Sequence, residues 1–591
     1  MSTLVPLTVA VPLIAGPLLA IVGLFLSRRA CDLIGVAVAA ATAALCLIVL
    51  IHVGRGLELH WFGGWNPRHG LAIGVDFAVD AYGAGLAAFV ALLMTLAMVF
   101  TWHEGDADQP HFQVLMLVFL AAMVGFAESG DLFNVFVFFE LMSVAAFALV
   151  GYSSERRSSL EGALNFAVSN TLGSFLFLAG IGLVYARTGA LNLAQIGTHL
   201  SGHPLDELVV VALALIAVGF FVKAALVPFH FWLADAYAIA PASVCLLLAG
   251  AMSEMGLFGF GRVYFTAFAG AFAGHEHGLQ VVLVALGVLT GLLGAMLALR
   301  QDHLKRMLAF VTISYVGIFL CAVGLLSADG VGAAGLYVLA DGCGKAGLFA
   351  CVGIIQRRRG FVGAGALHGR LRDMPWTGAL WFGLALMMAT LPPFGAFLAK
   401  AGFDDAALKE GFWWLPSVAV LIIALNAGAV LRAGARIFLG WGAPAERHDE
   451  EQRPVRERTP VTMFVPALAL LVAAAGLGVW FGLSDLMLSG AHRFTDAAAY
   501  ASQVLQGRPI PVRVGESKAP EWFDWIYGAA ALEGSLLVAA AALWGGRMRA
   551  IRLAAASSRP LERLHSGRIG DYAAWLALGA GGLAVLMTAV R

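Results

Sequence analysis

The segment Val209–Leu233 reads VVVALALIAVGFFVKAALVPFHFWL. It is long and apolar enough to cross a bilayer, which takes about 20 such residues, yet Lys223 sits deep inside it. A lone ammonium in hydrocarbon is costly, so such a residue marks a functional site with a partner to be found. Pro228 follows five residues later, removes a backbone donor and breaks the helix. Charge beside a broken helix is how membrane transporters build ion sites. Lys345 and Lys400 lie in similar apolar surroundings.

The whole chain agrees with this segment. Of its 591 residues 60% are hydrophobic and 13% charged, against about 45–50% and about 25% in a soluble domain. The expected fold class is an all-α polytopic membrane protein. A formal net charge of zero suggests no nucleic-acid partner. Cys31, Cys46, Cys245, Cys321, Cys343 and Cys351 form no CxxC pair. They read as small core residues, not as ligands of a metal or an iron–sulfur cluster. There is neither a phosphate loop nor a GxGxxG between strand and helix. The chain is therefore expected to bind no cofactor, leaving any redox cofactors to partner subunits. Leu4–Leu26 lacks a basic leader and reads as a first span.

About sixteen spans are expected, at 4–26, 32–53, 79–102, 112–128, 132–152, 161–186, 208–231, 240–266, 279–299, 308–326, 331–355, 376–400, 413–440, 460–484, 523–544 and 570–590. Loops after odd-numbered spans hold most of the arginines and lysines, among them Arg28, Arg29, Arg156, Arg157, Arg300, Lys305, Arg306 and Arg357–Arg359. The opposite loops hold fewer, such as Arg55, Arg68, Arg187 and Lys409. Positive charge stays inside, so odd loops are cytoplasmic and both termini lie outside, in a cell membrane. The reading divides the chain into 1–78, a core over 79–440, a charged cytoplasmic loop over 441–459, and C-terminal spans over 460–591. Residues 485–522 form an external excursion with one interfacial helix. VKAALVPFHFW (222–232) and MATLPPFGAFLAK (388–400) are both apolar, interrupted by proline, followed by Phe and close to a lysine. Interrupted spans in two halves point to inverted repeats.

Several ionisable residues share membrane depth. Glu140, in DLFNVFVFFELM, is the expected partner of Lys223, the alternatives being a protonated packing residue and snorkelling of the lysine. At ~4 Å and an effective dielectric near 20 their attraction is about 4 kcal/mol, enough to hold both charges and small enough to be tipped. His230 and Asp235 follow the proline break, and His230 is either a relay or a polar cap. Glu254 lies in the eighth span, and Asp341 and Lys345 are four apart on one helical face. Lys400 follows Pro392–Pro393 and precedes Asp404 and Asp405, so an outer-interface anchor is its alternative.

GDLFNVFVFFELM, FFVKAALVPFHFWLADAYAIAPASV, HLKRMLAFVTISYVGI, LADGCGKAGLFACVG and LPPFGAFLAK occur in that order within about residues 79–440. This series resembles the antiporter-like subunits L, M and N of respiratory complex I, Mrp sodium/proton antiporters and group 4 membrane hydrogenases. NFAVSNTLGSFLFLAGIGLVYARTGALNLAQIG (165–197) is similar to the Mrp D and hydrogenase-4 B type, and RLHSGRIGDYAAWLALG (563–579) to the tail of L-like subunits. The resemblance implies two inverted five-helix repeats with broken seventh and twelfth helices. It also implies proton-translocation roles for Glu140, Lys223, Lys345 and Lys400, with Lys400 at the exit. Two positions depart from the pattern. Glu254 stands where a basic residue is usual, and Asp341 where a histidine is usual. Both make the axis more acidic, which favours either static pairing or a cation such as Na⁺.

The leading expectation is a proton-translocating subunit of a redox-driven complex of quinone-reductase or hydrogenase-4 type, surrounded by lipid and bound to other membrane subunits and to cytoplasmic redox subunits. The alternatives are an Mrp-type antiporter subunit, a proton-conducting partner in inorganic-carbon uptake, and a scaffold with a vestigial path.

Overall fold

The computed structural model describes residues 3–54, 56–68, 70–102, 104, 110–152, 157–442, 455–456, 458–480, 482–509, 519–544 and 568–589. Arg55, Arg156 and most of the charged loop over 441–459 fall outside the described residues, as do the sequence 510–518 and the basic stretch from 545 to 567.

The described residues are mostly helical. In order come α1 (Val5–Val22), α2 (Arg28–Val53), α3 (Ala81–Thr101), α4 (Pro110–Glu128), α5 (Leu132–Val150), α6 (Arg157–Thr188), the short α7 (Leu193–Leu200) and α8 (Glu207–Ala224). After them come α9 (Phe231–Ile239), α10 (Ala242–Phe268), α11 (Glu276–Ala298), α12 (Leu304–Gly324) and α13 (Ala328–Arg359). The remainder is α14 (Pro375–Met388), α15 (Gly395–Lys409), α16 (Leu415–Leu439), α17 (Val461–Val479), α18 (Gly482–Thr495), α19 (Ala497–Gln506), α20 (Trp522–Trp544) and α21 (Ile569–Ala589). A two-stranded antiparallel hairpin, β1 (Glu58–Trp61) and β2 (Asp76–Val79), lies between α2 and α3.

Fifteen of these helices are long and apolar enough to cross a membrane. The twelfth expected span, 376–400, is the exception for a physical reason. Its break divides it into α14 and α15, of 14 and 15 residues, each shorter than a bilayer crossing requires. The stretch 485–522 is the one expected to form an external excursion. It holds α19 and most of α18, and both pack on the bundle.

Burial sorts the helices into a centre and a rim. α10, α12 and α13 are almost wholly enclosed by other helices, whereas α1, α2, α20 and α21 leave wide apolar faces uncovered. α12 packs along α11, α8 along α6, and α13 against α15, α17 and α18. Glycines allow the close approaches. A Cβ on Gly317 would meet Gly291 N at 2.4 Å, and one on Gly342 would meet Gly250 O at 2.4 Å. Small residues bring membrane helices together in this way.

The two breaks are built alike. α8 ends in Ala225 (φ 57°), three residues before Pro228, and α14 is followed by Thr390 (φ 54°), three residues before Pro393. Each proline is followed by Phe and then a second half-helix. Broken helices free backbone carbonyls, which must find donors inside a membrane. Trp232 Nε1 donates to Val222 O at 2.9 Å, and Tyr315 OH donates to Met388 O at 2.7 Å. Thr290 Oγ1 accepts from Val227 N at 3.1 Å.

At the membrane edge, His303 caps α12 by accepting from Arg306 N at 3.3 Å. Burial, with Lys305 and Arg306 adding to it, pushes this imidazole down to about 3, so it stays neutral.

Candidate functional site: a buried row of charges

Lys223 occupies the last turn of α8, at the negative end of a half-helix that favours a cation. It does not snorkel: its residue exposure is 0%. Its Nζ donates to Ser143 Oγ and lies 4.3 Å from the Phe139 ring centroid. Glu140, half-buried on α5, accepts instead from Ser174 Oγ of α6. The expected direct Glu140–Lys223 ion pair is therefore absent among the described residues. The reason is local. Ser143 lies one turn along α5 from Glu140 and takes the lysine, while Ser174 takes the carboxylate. Glu140 still acts on Lys223 electrostatically across that turn. Buried Asn165, Ser169, Asn170 and Ser174 form a polar stripe on α6 that reaches Glu140.

The centre is formed by α10 and α13. Lys345 is fully buried and held by two carboxylates, Glu254 Oε1 and, at 2.6 Å, Asp341 Oδ2. Asp341 and Lys345 make the i,i+4 pair, and Glu254 joins it from the helix that follows a π-turn at Leu248–Met252. Such π-turns re-aim side chains at functional sites. Glu254 Oε2 and Asp341 Oδ1 have no hydrogen-bond partner. Glu254 also borders a mostly apolar cavity of about 430 Å³ shared with Leu257, Phe258 and Phe319.

Lys400 on α15 is 3% exposed and pairs with Asp404 one turn later, under the Tyr527 ring at 4.9 Å. It is thus an interior residue, not a snorkelling anchor. A polar cleft of about 370 Å³, lined by Asp329, Asp405, Lys409, Asp485 and Asp524, opens beside Ala401 and Leu398. Asp524 of α20 acts electrostatically on both Lys400 and Asp404.

His230 is buried just after the first break, against Phe231. Asp235 is tied to Arg306 and, at 2.8 Å, to Tyr572 OH of α21, so it belongs to a lock in the middle of α9 and not to the row. A second buried lock, Arg262 to Asp80 at 2.7 and 2.8 Å beneath Phe494, ties α10 to α3 and α18.

Reading the sequence alone did not find Ser143, Ser174, Asp524 or the polar stripe of α6. Ser143 carries a signal that helical spacing exposes, since it stands three residues after Glu140. Ser174 and Asp524 carry none, because they meet the row only through space. The cysteines are all buried and free.

A family model described as NADH:quinone oxidoreductase/Mrp antiporter, transmembrane, matches residues 129–426. The chain is 30% identical over 433 residues to NADH-quinone oxidoreductase subunit N of Desulforudis audaxviator, covering 71% of this chain and 84% of that one. It is 26% identical over 476 residues to the D-type Na(+)/H(+) antiporter subunit of Alkalihalophilus pseudofirmus, covering 80% and 93%. Among solved structures, a chain of the Mrp complex from Dietzia sp. superposes with a TM-score of 0.76 at 27% identity, over 85% of this chain and 99% of that one. A chain of respiratory complex I from Thermus thermophilus, at 24% identity and a TM-score of 0.66 over 83% and 99%, shares the fold. With half of its length matched by one model and relatives aligned over most of theirs, the chain belongs to the NADH:quinone oxidoreductase/Mrp antiporter transmembrane family.

Proposed function

We propose that this chain is a proton-translocating membrane subunit of a redox-driven complex, carrying H⁺ along the row from Glu140 and Lys223 through Lys345 to Lys400. One observation carries the reading. The central cluster holds two carboxylates, Glu254 and Asp341, against one ammonium, Lys345. The surplus of one negative charge sits at the centre, where Lys345 faces two carboxylates and two carboxylate oxygens have no partner. An uncompensated charge is strongly disfavoured in a buried site. A proton on Glu254 or Asp341 makes this cluster neutral, and its arrival or departure changes what Lys345 is paired with. A centre that must load a proton to be neutral is a station for proton transfer.

In this proposal odd-span loops face the cytoplasm, both termini lie outside, and the chain resides in the plasma membrane. Protons enter beside the polar stripe of α6 and leave at the acidic cleft beside Lys400. Other membrane subunits assemble around it, as expected for relatives that are subunits of complexes, and redox cofactors belong to partner subunits. An Mrp-type antiporter subunit is the second reading, favoured by the 27% identity and TM-score of 0.76 to the Dietzia chain.

The test is proton flux in proteoliposomes holding the complex purified in mild detergent. Lys223→Ala is expected to lower flux at least about a hundredfold, the scale lost when a proton-transfer group is removed. Glu140→Ala is expected to lower it likewise, with assembly retained. Wild-type flux in both variants overturns the assignment. Copurifying flavin or iron–sulfur subunits support the redox reading, and small antiporter subunits support the second.

A further inference from the structure

Among the described residues no ion pair joins the central cluster to the Lys400 cluster. Tyr337 stands one turn before Asp341 and two turns before Lys345 on α13, so the three share a face of that helix. Its side chain is 0% exposed, and its phenol oxygen has no hydrogen-bond partner. A buried hydroxyl without a partner is uncommon and calls for an explanation. Packing does not supply one, because the ring is already seated against Phe319, 5.5 Å between centroids, and a phenylalanine would fill that seat. The neighbouring Tyr315 is different: its hydroxyl is committed to Met388 O at 2.7 Å, where it stabilises the second break.

Tyr337 has two carboxylates on the elements around it, one on its own helix face and one on α15, which packs along α13, and both act on its phenol electrostatically. One is Asp341, on its own helix and paired with Lys345. The other is Asp404, on α15 and paired with Lys400. A phenol both accepts and donates hydrogen bonds, unlike the phenyl ring of the neighbouring Phe319.

Resting on the reading of the row as a proton path, we propose that the Tyr337 hydroxyl is a relay that passes a proton from Asp341 of the central cluster to Asp404 of the Lys400 cluster. In that step the phenol oxygen takes the proton of the Asp341 carboxyl while its own O–H proton goes to the Asp404 carboxylate. One O–H bond breaks and one forms at the phenol, which stays neutral throughout. Asp341 becomes a full partner of Lys345, and Asp404, now protonated, weakens its hold on Lys400. Rotation about the phenol C–O bond resets the relay. The oxygen is beyond hydrogen-bond reach of protein groups, so each transfer closes by a carboxylate turning toward it or by one bridging water.

Tyr337→Phe keeps the ring and removes only the oxygen. In the reconstituted complex it is expected to lower proton flux about tenfold or more, with assembly and melting unchanged. Tyr337→His restores one accepting and one donating nitrogen. It is expected to return part of the flux and to make that flux fall below about pH 6.5, where the imidazole is charged. Wild-type flux in the Phe variant overturns the relay. So does a Phe variant that loses flux together with assembly while the His variant stays inactive without pH dependence. Failure of the parent reading looks different, since it shows as wild-type flux in Lys223→Ala and Glu140→Ala.

Discussion

At the scale of single residues, the decisive feature is that one lysine is shared by two carboxylates. Lys345 with Asp341 alone would be a neutral buried pair, costly to open and with no charge left to attract a proton. Glu254 turns that pair into a site with a net negative charge. Glu254→Gln tests this directly. The amide oxygen still accepts from Lys345, and the amide nitrogen takes the place of the unpartnered Oε2. The variant is therefore expected to fold and assemble while its proton flux falls about tenfold, equivalent to about 1.4 kcal/mol on the transfer barrier. Flux at the wild-type level would show that the surplus charge is idle. Lys345→Ala is a poorer probe, because it strands two buried carboxylates and costs about 3–5 kcal/mol for reasons unrelated to transport. The charged members of this row were legible in the sequence because Lys223, Glu254, Asp341 and Lys345 interrupt apolar runs. The pairing of Asp341 with Lys345 was legible too, from their spacing, but the direct partner of Lys223 was not. Serine is ordinary in membrane helices, and nothing in the order of residues says that Ser143, not Glu140, receives the Lys223 ammonium.

At the scale of elements, the proline breaks were legible and the polar layer outside the spans was not. VPFHFW and PPFGAF announce interrupted helices, and the structure places α8–α9 and α14–α15 there. The hairpin β1–β2 was not read from the sequence, because each of its strands is only four residues long. It is held in place by Asp76, whose Oδ1 accepts from Asn192 Nδ2 at 3.0 Å just before α7. Asp76 is fully buried and its Oδ2 has no partner. Burial, with nearby Asp131 adding to it, raises this carboxyl to about 8. The sign follows from linkage. Between the unfolded value of about 4 and the folded value of about 8 the folded chain holds a proton that the unfolded chain has released. Folding stability therefore declines as pH rises through that window. Asp131 is raised as well, again mainly by burial, and contributes in the same direction. Asp76→Asn keeps the acceptor for Asn192 and removes the titration. Its melting midpoint is expected to depend less on pH between 5 and 8 than the wild-type midpoint, with the advantage growing toward pH 8. Parallel pH profiles for the two proteins would show that Asp76 is not protonated in the fold.

At the scale of the whole molecule, the C-terminal spans brace the two breaks, one each. The family model ends at residue 426, so α20 and α21 lie beyond the matched segment. α20 packs along α16 and reaches the second break, where Gly528 faces Phe397 and the Thr390 carbonyl, and Tyr527 covers Lys400. α21 packs along α8 and α6 and reaches the first break. There Tyr572 stacks on Phe231 and bonds Asp235, and Gly579 faces Pro228 and Phe229. The sequence shows two late apolar spans but not where they dock, because an apolar helix face carries no address until its glycines and aromatics meet a partner. Gly579 makes the docking testable. A Cβ there would fall 2.5 Å from Pro228 Cγ and 2.7 and 2.9 Å from the Phe229 ring, all in the break itself. Gly579→Leu must push α21 off the break or the break inward, and overpacking of this kind costs about 1–3 kcal/mol. Lys223 sits on the turn before that break, so proton flux is expected to fall several-fold even though no charged residue changes. Gly582→Leu on the same helix is the matched control, since nothing lies within 4 Å of a Cβ at Gly582. It adds the same bulk and is expected to leave flux and melting near wild type. If the two variants behave alike, α21 is a passive neighbour of the break and the brace has no part in holding Lys223 in the row.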